Sequence, residues 1–376
     1  MTTANFPWDD SRLVAPTTIH HLSIGGRSVL FCEARQVLYG LNPTADHIWR
    51  SLAENGRPLE ARRRLADLGV TDEDAQAYVQ DVTLSWLHGG QLAPQEAVAR
   101  LGQRPDATRV LRIDELIVRI NFFDLAPAEV DAVFGQFAAN AASEALDLSI
   151  VACGDRIFVF EGNRSLGSFG VGEWIPQVKA TLTEHYAGNV RGAFLMHAAF
   201  LVRNDKGILL TGAPGAGKTT LCVALAKSGW DYQGDDIVRL ENSGKAVGTP
   251  FAACVKSDAW PLVAPYAPEI ADLPTYRRSD GKDVRYLRTP PAARRPRSID
   301  FVLLLSRQPG ATPTLEPVEP LEAFSTLLES AFSAKGAIAA PALKTFASAI
   351  EGAASFRFVY STLADAINAI KDLTDE

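Results

Sequence analysis

Cysteine and methionine are scarce in this sequence, at four and two residues of 376. Cys32, Cys153, Cys222 and Cys254 stand far apart with no Cys-x-x-Cys pair, which excludes a disulfide scaffold and a cysteine-built metal site. Long apolar runs are missing too: the longest, around residues 192–202, is too short to span a bilayer. The opening Met1-Thr-Thr-Ala-Asn-Phe-Pro-Trp-Asp-Asp10 has neither the basic start nor the apolar core of a secretory leader. These absences predict a reduced, cytoplasmic protein with no membrane partner. Positive charge is short as well, and a net charge of −7 argues against nucleic-acid binding by the chain as a whole. There is no internal repeat and no low-complexity tract. With 47% hydrophobic and 22% charged residues the composition is that of a folded globular protein, and the length suits two or three domains.

Against that background one stretch stands out. Gly207-Ile-Leu-Leu-Thr211 is a short β-type run, Gly212-Ala213-Pro214-Gly215-Ala216-Gly217-Lys218-Thr219-Thr220 completes the pattern Gly-x-x-x-x-Gly-Lys-Ser/Thr, and Leu221 to Lys227 continues as an apolar helix. Gly212, Gly215 and Gly217 allow the loop to turn its backbone N–H groups inward around phosphate oxygens, a conformation that Cβ atoms obstruct. The helix opening at Lys218 adds its positive dipole end. Lys218 would bring a point charge to the β- and γ-phosphates, and Thr219 a hydroxyl to Mg²⁺. The stretch therefore predicts ATP or GTP binding.

Downstream, Asp231-Tyr-Gln-Gly234-Asp235-Asp236-Ile-Val-Arg-Leu240 lies at the distance expected for the next strand. Adjacent carboxylates beside a phosphate loop suit metal binding, or activation of a hydroxyl by one Asp while the other holds Mg²⁺. Upstream, Phe194 to Val202 pairs as a hairpin with Gly207–Thr211, which puts His197 on the entering strand, where local sequence alone fits a core histidine. The basic run Arg277-Arg278 through Arg297 reads as a loop able to close over a triphosphate or hold an acidic substrate. Ile299–Leu305 reads as a buried strand, residues 321–328, 341–353 and 363–373 as helices, and Phe356–Tyr360 as a final strand.

The N-terminal region predicts three strands, 18–24, 28–32 and 36–39, with a Gly25-Gly26 turn between the first two. Helices over 41–52, 59–67 and 72–88 follow. After a polar linker from Pro94 to Ala107 come hairpins around Asp114-Glu115 and Gly154-Asp155, a helix over 127–140 and another over 173–185.

Two resemblances arise from these residues. Leu41-Asn42-Pro43-Thr44-Ala45-x-x-Ile48-Trp49, Leu65 and Trp86-Leu87-x-Gly-Gly90-Gln-Leu92 resemble the PqqD-like family, peptide-recognition modules of ribosomal peptide modification systems. That resemblance covers residues 15–93 and implies a precursor peptide adding as a strand to a sheet edge. His197, Gly212–Thr219 and Asp235-Asp236 resemble, in order and spacing, the catalytic core of the HPr kinase/phosphorylase family, over residues 190–245. It implies a P-loop fold related to phosphoenolpyruvate carboxykinase that phosphorylates a protein serine. Catalysis would rest on Lys218, Asp235, Asp236 and His197, with His197 assisting the carboxylate that takes the hydroxyl proton. Phosphate binding would fall to residues 212–220, and Mg²⁺ to Thr219 and Asp236. The family's Glu-containing signature with a Gly-Leu-Gly-Ile run is replaced here by Thr249-Pro-Phe-Ala-Ala-Cys-Val-Lys256-Ser-Asp258-Ala-Trp260, so the resemblance leaves the reverse phosphorylase activity open and a second metal ligand unassigned.

The expected architecture is an α/β P-loop core of the HPr kinase and PEP carboxykinase kind over residues 191–376, a winged-helix-like PqqD-type α+β domain over 1–93, a linker over 94–108 and a small α+β segment over 109–190. The expected function is ATP-dependent phosphorylation of a Ser or Thr hydroxyl on a peptide or protein, with ATP and Mg²⁺ as cofactors and oligomer formation left open. A nucleotide-gated peptide carrier and a small-molecule kinase are the alternatives.

Overall fold

The computed structural model describes residues 6–33, 35–140, 145–189, 194–289, 294–332 and 338–375. It is a mixed α/β protein with several sheets, and its contacts divide it into two compact units, Met1–Val178 and Lys179–Glu376. Among the described residues no helix is long and apolar enough to cross a membrane.

In the first unit β1 (Leu13–Val14) pairs with β5 (Ala93–Pro94), while β2 (Ile19–Ile24), β3 (Arg27–Cys32) and β4 (Val37–Gly40) form a three-stranded antiparallel sheet. Gly25 and Gly26 take φ of 58° and 77°, the left-handed values that a two-residue hairpin turn requires. Three helices follow: α1 (Pro43–Asn55), α2 (Pro58–Asp67) and α3 (Asp72–His88). The Asn42 side chain caps α1 by accepting from the Ala45 N–H at 2.7 Å, and Thr71 caps α3 by accepting from the Asp74 N–H. The stretch expected as a linker carries β5 and α4 (Gln95–Arg100), with Ala97 buried. A five-stranded sheet comes next, in the order β10 (Arg164–Phe169), β9 (Arg156–Glu161), β8 (Leu146–Cys153), β7 (Leu116–Phe123), β6 (Ala107–Ile113), with only β7 and β8 parallel. Strand β10 escaped the sequence reading because its register breaks between Ser165 and Gly167, and glycine inside a strand weakens the pattern. The helix expected over 127–140 is α5 (Ala128–Phe134) plus one 3-10 turn, because Ala138 bridges to Leu111 and draws the chain onto the sheet. Trp49, Trp86, Phe123, Val151, Phe158 and Phe160 belong to one apolar core, which joins the helices to this sheet. Helix α6 (Trp174–Asn189) runs on into the second unit.

The second unit is built on a six-stranded sheet in the order β14 (Asp231–Gly234), β12 (Ala199–Arg203), β13 (Lys206–Thr211), β20 (Phe301–Arg307), β23 (Ala354–Tyr360), β21 (Thr314–Pro317). β13, β20 and β23 run parallel, and the apolar run of β20 is the mark of a strand between parallel neighbours. A four-stranded sheet follows the order β16 (Ala246–Gly248), β15 (Val238–Leu240), β11 (Phe194–Met196), β22 (Ala331–Phe332), and a three-stranded sheet the order β17 (Ala253–Lys256), β19 (Asp283–Leu287), β18 (Tyr276–Arg277). Helix α7 (Lys218–Lys227) buries Leu221, Cys222, Val223, Ala224 and Leu225 in succession. A helix apolar all round must be covered on several sides, and α7 packs on β12, β17, α8 (Trp260–Val263) and α11 (Leu363–Asp375). Helices α9 (Pro320–Glu329) and α10 (Ala340–Glu351) contribute Ala323, Leu327, Phe346 and Ile350 to a separate core with β11 and β12.

Candidate phosphate-loop site

Strand β13 ends at Thr211, and the loop of residues 212–217 turns into α7. Gly217, the residue before the helix, has φ of 93°, and Gly215 has φ of 89°. Side chains at either position would strain the backbone. A Cβ on Gly217 would also lie 2.7 Å from the Tyr360 hydroxyl, whereas nothing lies within 4 Å of one on Gly215. The Tyr360 hydroxyl donates to the Ala216 carbonyl at 3.3 Å, so the last residue of β23 braces the loop. Lys218 folds back over the loop, its Nζ donating to the Gly212 carbonyl at 2.8 Å. Burial holds the Lys218 amine below its ordinary pKa and Lys256 adds to this, while Asp236 opposes it.

The hairpin expected from Phe194 to Thr211 is interrupted. His197 and Ala198 lie between β11, in the four-stranded sheet, and β12, in the six-stranded one. The antiparallel neighbour does the same in reverse: β14 is in the six-stranded sheet, β15 in the four-stranded one, and residues 235–237 connect them. Because β11 pairs with β15 and β12 with β14, the two junctions face each other. This paired crossing, not a continuous strand, brings His197 to Asp236, with Nδ1 3.4 Å from Oδ1.

The two carboxylates occupy different environments. Asp235 is buried at 6% exposure and accepts from the Tyr232 hydroxyl at 2.7 Å and from the Thr219 hydroxyl. Its pKa is raised by burial and by the neighbouring Asp236 charge, against the effect of Lys179 and the two hydroxyls. Asp236 opens to the pocket, and Lys179 donates to its Oδ2 at 2.9 Å. The Lys179 charge holds this carboxyl below its ordinary value in spite of burial, with His197 and Arg278 adding to the effect. For Lys179 itself, burial pulls the pKa down, but Asp236 and then Cys254 outweigh it and leave it raised.

These groups surround a cavity of about 450 Å³. It is lined by Pro214, Gly215, Gly217, Lys218, Thr219, Thr220, His197, Asp235 and Asp236, so most of the residues singled out from sequence meet there. Gly212 lies behind the loop, where a Cβ would be 2.9 Å from the Leu305 carbonyl oxygen. Thr219 and Asp236 are the residues expected to share Mg²⁺, and the Thr219 hydroxyl bonds Asp235. The basic run divides: Arg278 and Lys282 line the cavity, whereas Arg285 stacks 4.0 Å over Trp260 and Arg297 pairs with Asp205. Sequence reasoning missed Lys256, Arg307 and Tyr360 on the cavity wall, and Lys179 behind Asp236. A signal for Lys179 existed, since it interrupts the apolar stripe Ile175, Val178, Leu182, Tyr186 of α6 at helical spacing.

The residues present fit a magnesium ion. A hydroxyl and a buried carboxylate, Thr219 and Asp235, are hard oxygen donors, and magnesium bound with phosphate takes one or two protein ligands. Among the described residues no group of three or more His, Cys, Asp or Glu is arranged to hold a metal ion, and a site of this kind needs none.

No family model matches this chain, and no curated protein matches it. Among solved structures, the Hpr(Ser) kinase/phosphatase from Coxiella burnetii aligns with 15% identity and a TM-score of 0.22, over 48% of this chain and 91% of that one. A likeness of that size carries no argument about activity, and the functional reading stands on the geometry of the cavity.

Proposed function

We propose that the chain is an ATP-dependent phosphotransferase that moves the γ-phosphoryl group to a hydroxyl. The observation that carries this is the splitting of the carboxylate pair beside a complete phosphate loop: Asp235 is buried on Thr219, and Asp236 is ionised and open to the same cavity. Pairs of acids driven apart by their surroundings have separate roles.

The loop N–H groups and Lys218 bind the triphosphate, displacing the Lys218 contact to the Gly212 carbonyl. Thr219 and Asp235 would hold magnesium, which when bound neutralises charge on the β- and γ-oxygens. Asp236 takes the proton of the acceptor hydroxyl, whose oxygen bonds to the γ-phosphorus as the bond to the ADP oxygen breaks. His197 lies against Asp236 and steadies it as the proton arrives.

The acceptor we propose is a Ser or Thr of a ribosomally made precursor peptide, held as an added strand by the three-stranded sheet of the first unit. The motif around Leu41–Trp49 supports this, as do exposed Leu22, Ile24, Val37 and Leu38 on the two outer strands of that sheet. Holding the leader there raises the local concentration of the reacting residue.

The test is intact-mass analysis of the peptide encoded beside the gene after incubation with the full chain, ATP and Mg²⁺. One added phosphoryl group, absent with Lys218→Ala and with Asp236→Asn, is the expected result. ADP formed freely while the peptide mass stays unchanged would sink the proposal.

A further inference from the structure

We propose that Lys179, on the helix that precedes the nucleotide core, is a positioning residue that holds the Asp236 carboxylate in the orientation facing the acceptor hydroxyl. This rests on the phosphotransfer reading above. Lys179 is 9% exposed on a helix that also buries Ile175, Val178 and Leu182, with Nζ 5.6 Å from the centre of the Phe251 ring. An ammonium in such a place is costly without a partner, and an apolar side chain of similar length would fill the space with equal or better stability. Stability alone therefore does not account for a lysine here.

Geometry does. Lys179 occupies Oδ2 of Asp236 at 2.9 Å, and His197 approaches Oδ1 at 3.4 Å. The two contacts come from separate elements, α6 and the junction between β11 and β12, so together they fix the plane of the carboxylate. A carboxylate has about four acceptor sites, and those left over face the cavity. Two further cations, Arg278 and Lys218, also act on Asp236 from the cavity side. Without Lys179 behind it the carboxylate would swing toward them and pair with them, out of line with the hydroxyl. A displacement of about 1 Å at a reacting group is enough to cost on the order of a hundredfold in rate.

The test uses the full chain with Mg-ATP, water as the acceptor, and mant-ATP as the binding probe. Lys179→Met is expected to lower ADP formation at saturating Mg-ATP by about a hundredfold while mant-ATP affinity stays within about threefold. Lys179→Arg, which keeps the charge and reach, is expected to recover a large part of the rate. A denaturation cycle of Lys179→Met, Asp236→Asn and the double variant covers the case in which the single variant folds poorly. The double variant should be less destabilised than the two single losses combined. Turnover of Lys179→Met at the wild-type rate, loss of mant-ATP affinity in step with the rate, or strict additivity in the cycle would each overturn the assignment. A wild-type chain that binds mant-ATP but forms no phosphopeptide, with or without ADP, would instead refute the transfer reading, and the cycle would then decide separately whether Lys179 holds Asp236.

Discussion

Replacing Gly217 by alanine should destabilise the nucleotide unit through two separable effects. The first is backbone strain: φ of 93° is left-handed, and a Cβ there costs about 1–2 kcal/mol. The second is collision, because the new Cβ would stand 2.7 Å from the Tyr360 hydroxyl. Tyr360 is fully buried and cannot move aside without giving up its bond to the Ala216 carbonyl, a loss of about 1 kcal/mol. The sum is about 2–3 kcal/mol. Gly215→Ala is the internal control: it has the same strain at φ of 89° but open space around the Cβ, so it should lose only about 1–2 kcal/mol. Tyr360→Phe removes the obstructing oxygen, and in that background Gly217→Ala should cost about 1 kcal/mol less than in the wild type. The assay is urea unfolding followed through fluorotryptophan signals of Trp230 and Trp260, which both belong to this unit. Equal losses for the two glycines, or no relief from Tyr360→Phe, would refute the claim that β23 braces the loop.

Lys218→Met should weaken mant-ATP binding by about ten- to a hundredfold, since a charge-assisted contact to phosphate is lost, and a fluorescence titration measures it. Cys153 is pushed up to about 12 from 9.0 by burial and by its bond to Glu96 at 3.0 Å. With the folded value above the unfolded one, the stability it contributes is complete below 9.0 and lost as the pH climbs toward about 12. Alkylation of Cys153 at pH near 9 should accordingly be slower than in the unfolded chain and faster in Glu96→Gln. A fragment of residues 1–178 should unfold cooperatively, because it keeps the whole of the core built around Trp49, Trp86 and Phe158, whereas residues 1–93 alone should not, having lost Phe123, Val151, Phe158 and Phe160. Circular dichroism melts of the two fragments decide this.

Much of the local structure was legible in the residues. The strand, loop and helix around Lys218 lie where the motif predicts, because three glycines and a buried apolar helix leave the backbone few other options. The strands of β2 to β4 and the helices of α1 to α3 were equally readable from turn, cap and periodicity signals. What escaped notice was determined by tertiary contacts. Phe194 to Val202 is apolar apart from His197, and a lone histidine in such a run fits the middle of a continuous core strand as well as the place where the chain leaves one sheet for another. The same crossing decides which carboxylate meets Thr219 and which meets His197, a question two adjacent aspartates cannot answer by themselves. Lys256, Arg307 and Tyr360 reach the cavity from strands distant in sequence, and no spacing rule connects them to the loop.

The facing junctions of β11 with β12 and β14 with β15 have a consequence for how such a site can change over time. His197 and Asp236 sit between pairs of backbone rungs, so their separation is inherited from the register of the flanking strands and tolerates side-chain substitution nearby. Inserting one residue into β11 or β14 would turn the side chains that follow, His197 or Asp236 among them, to the opposite face and dismantle the pair at a stroke. The cavity wall carrying Lys256, Arg278 and Lys282, by contrast, is written in side chains alone. Drift in that wall can retune what enters while the rungs beneath keep the chemistry in place, so new preferences can be reached one substitution at a time.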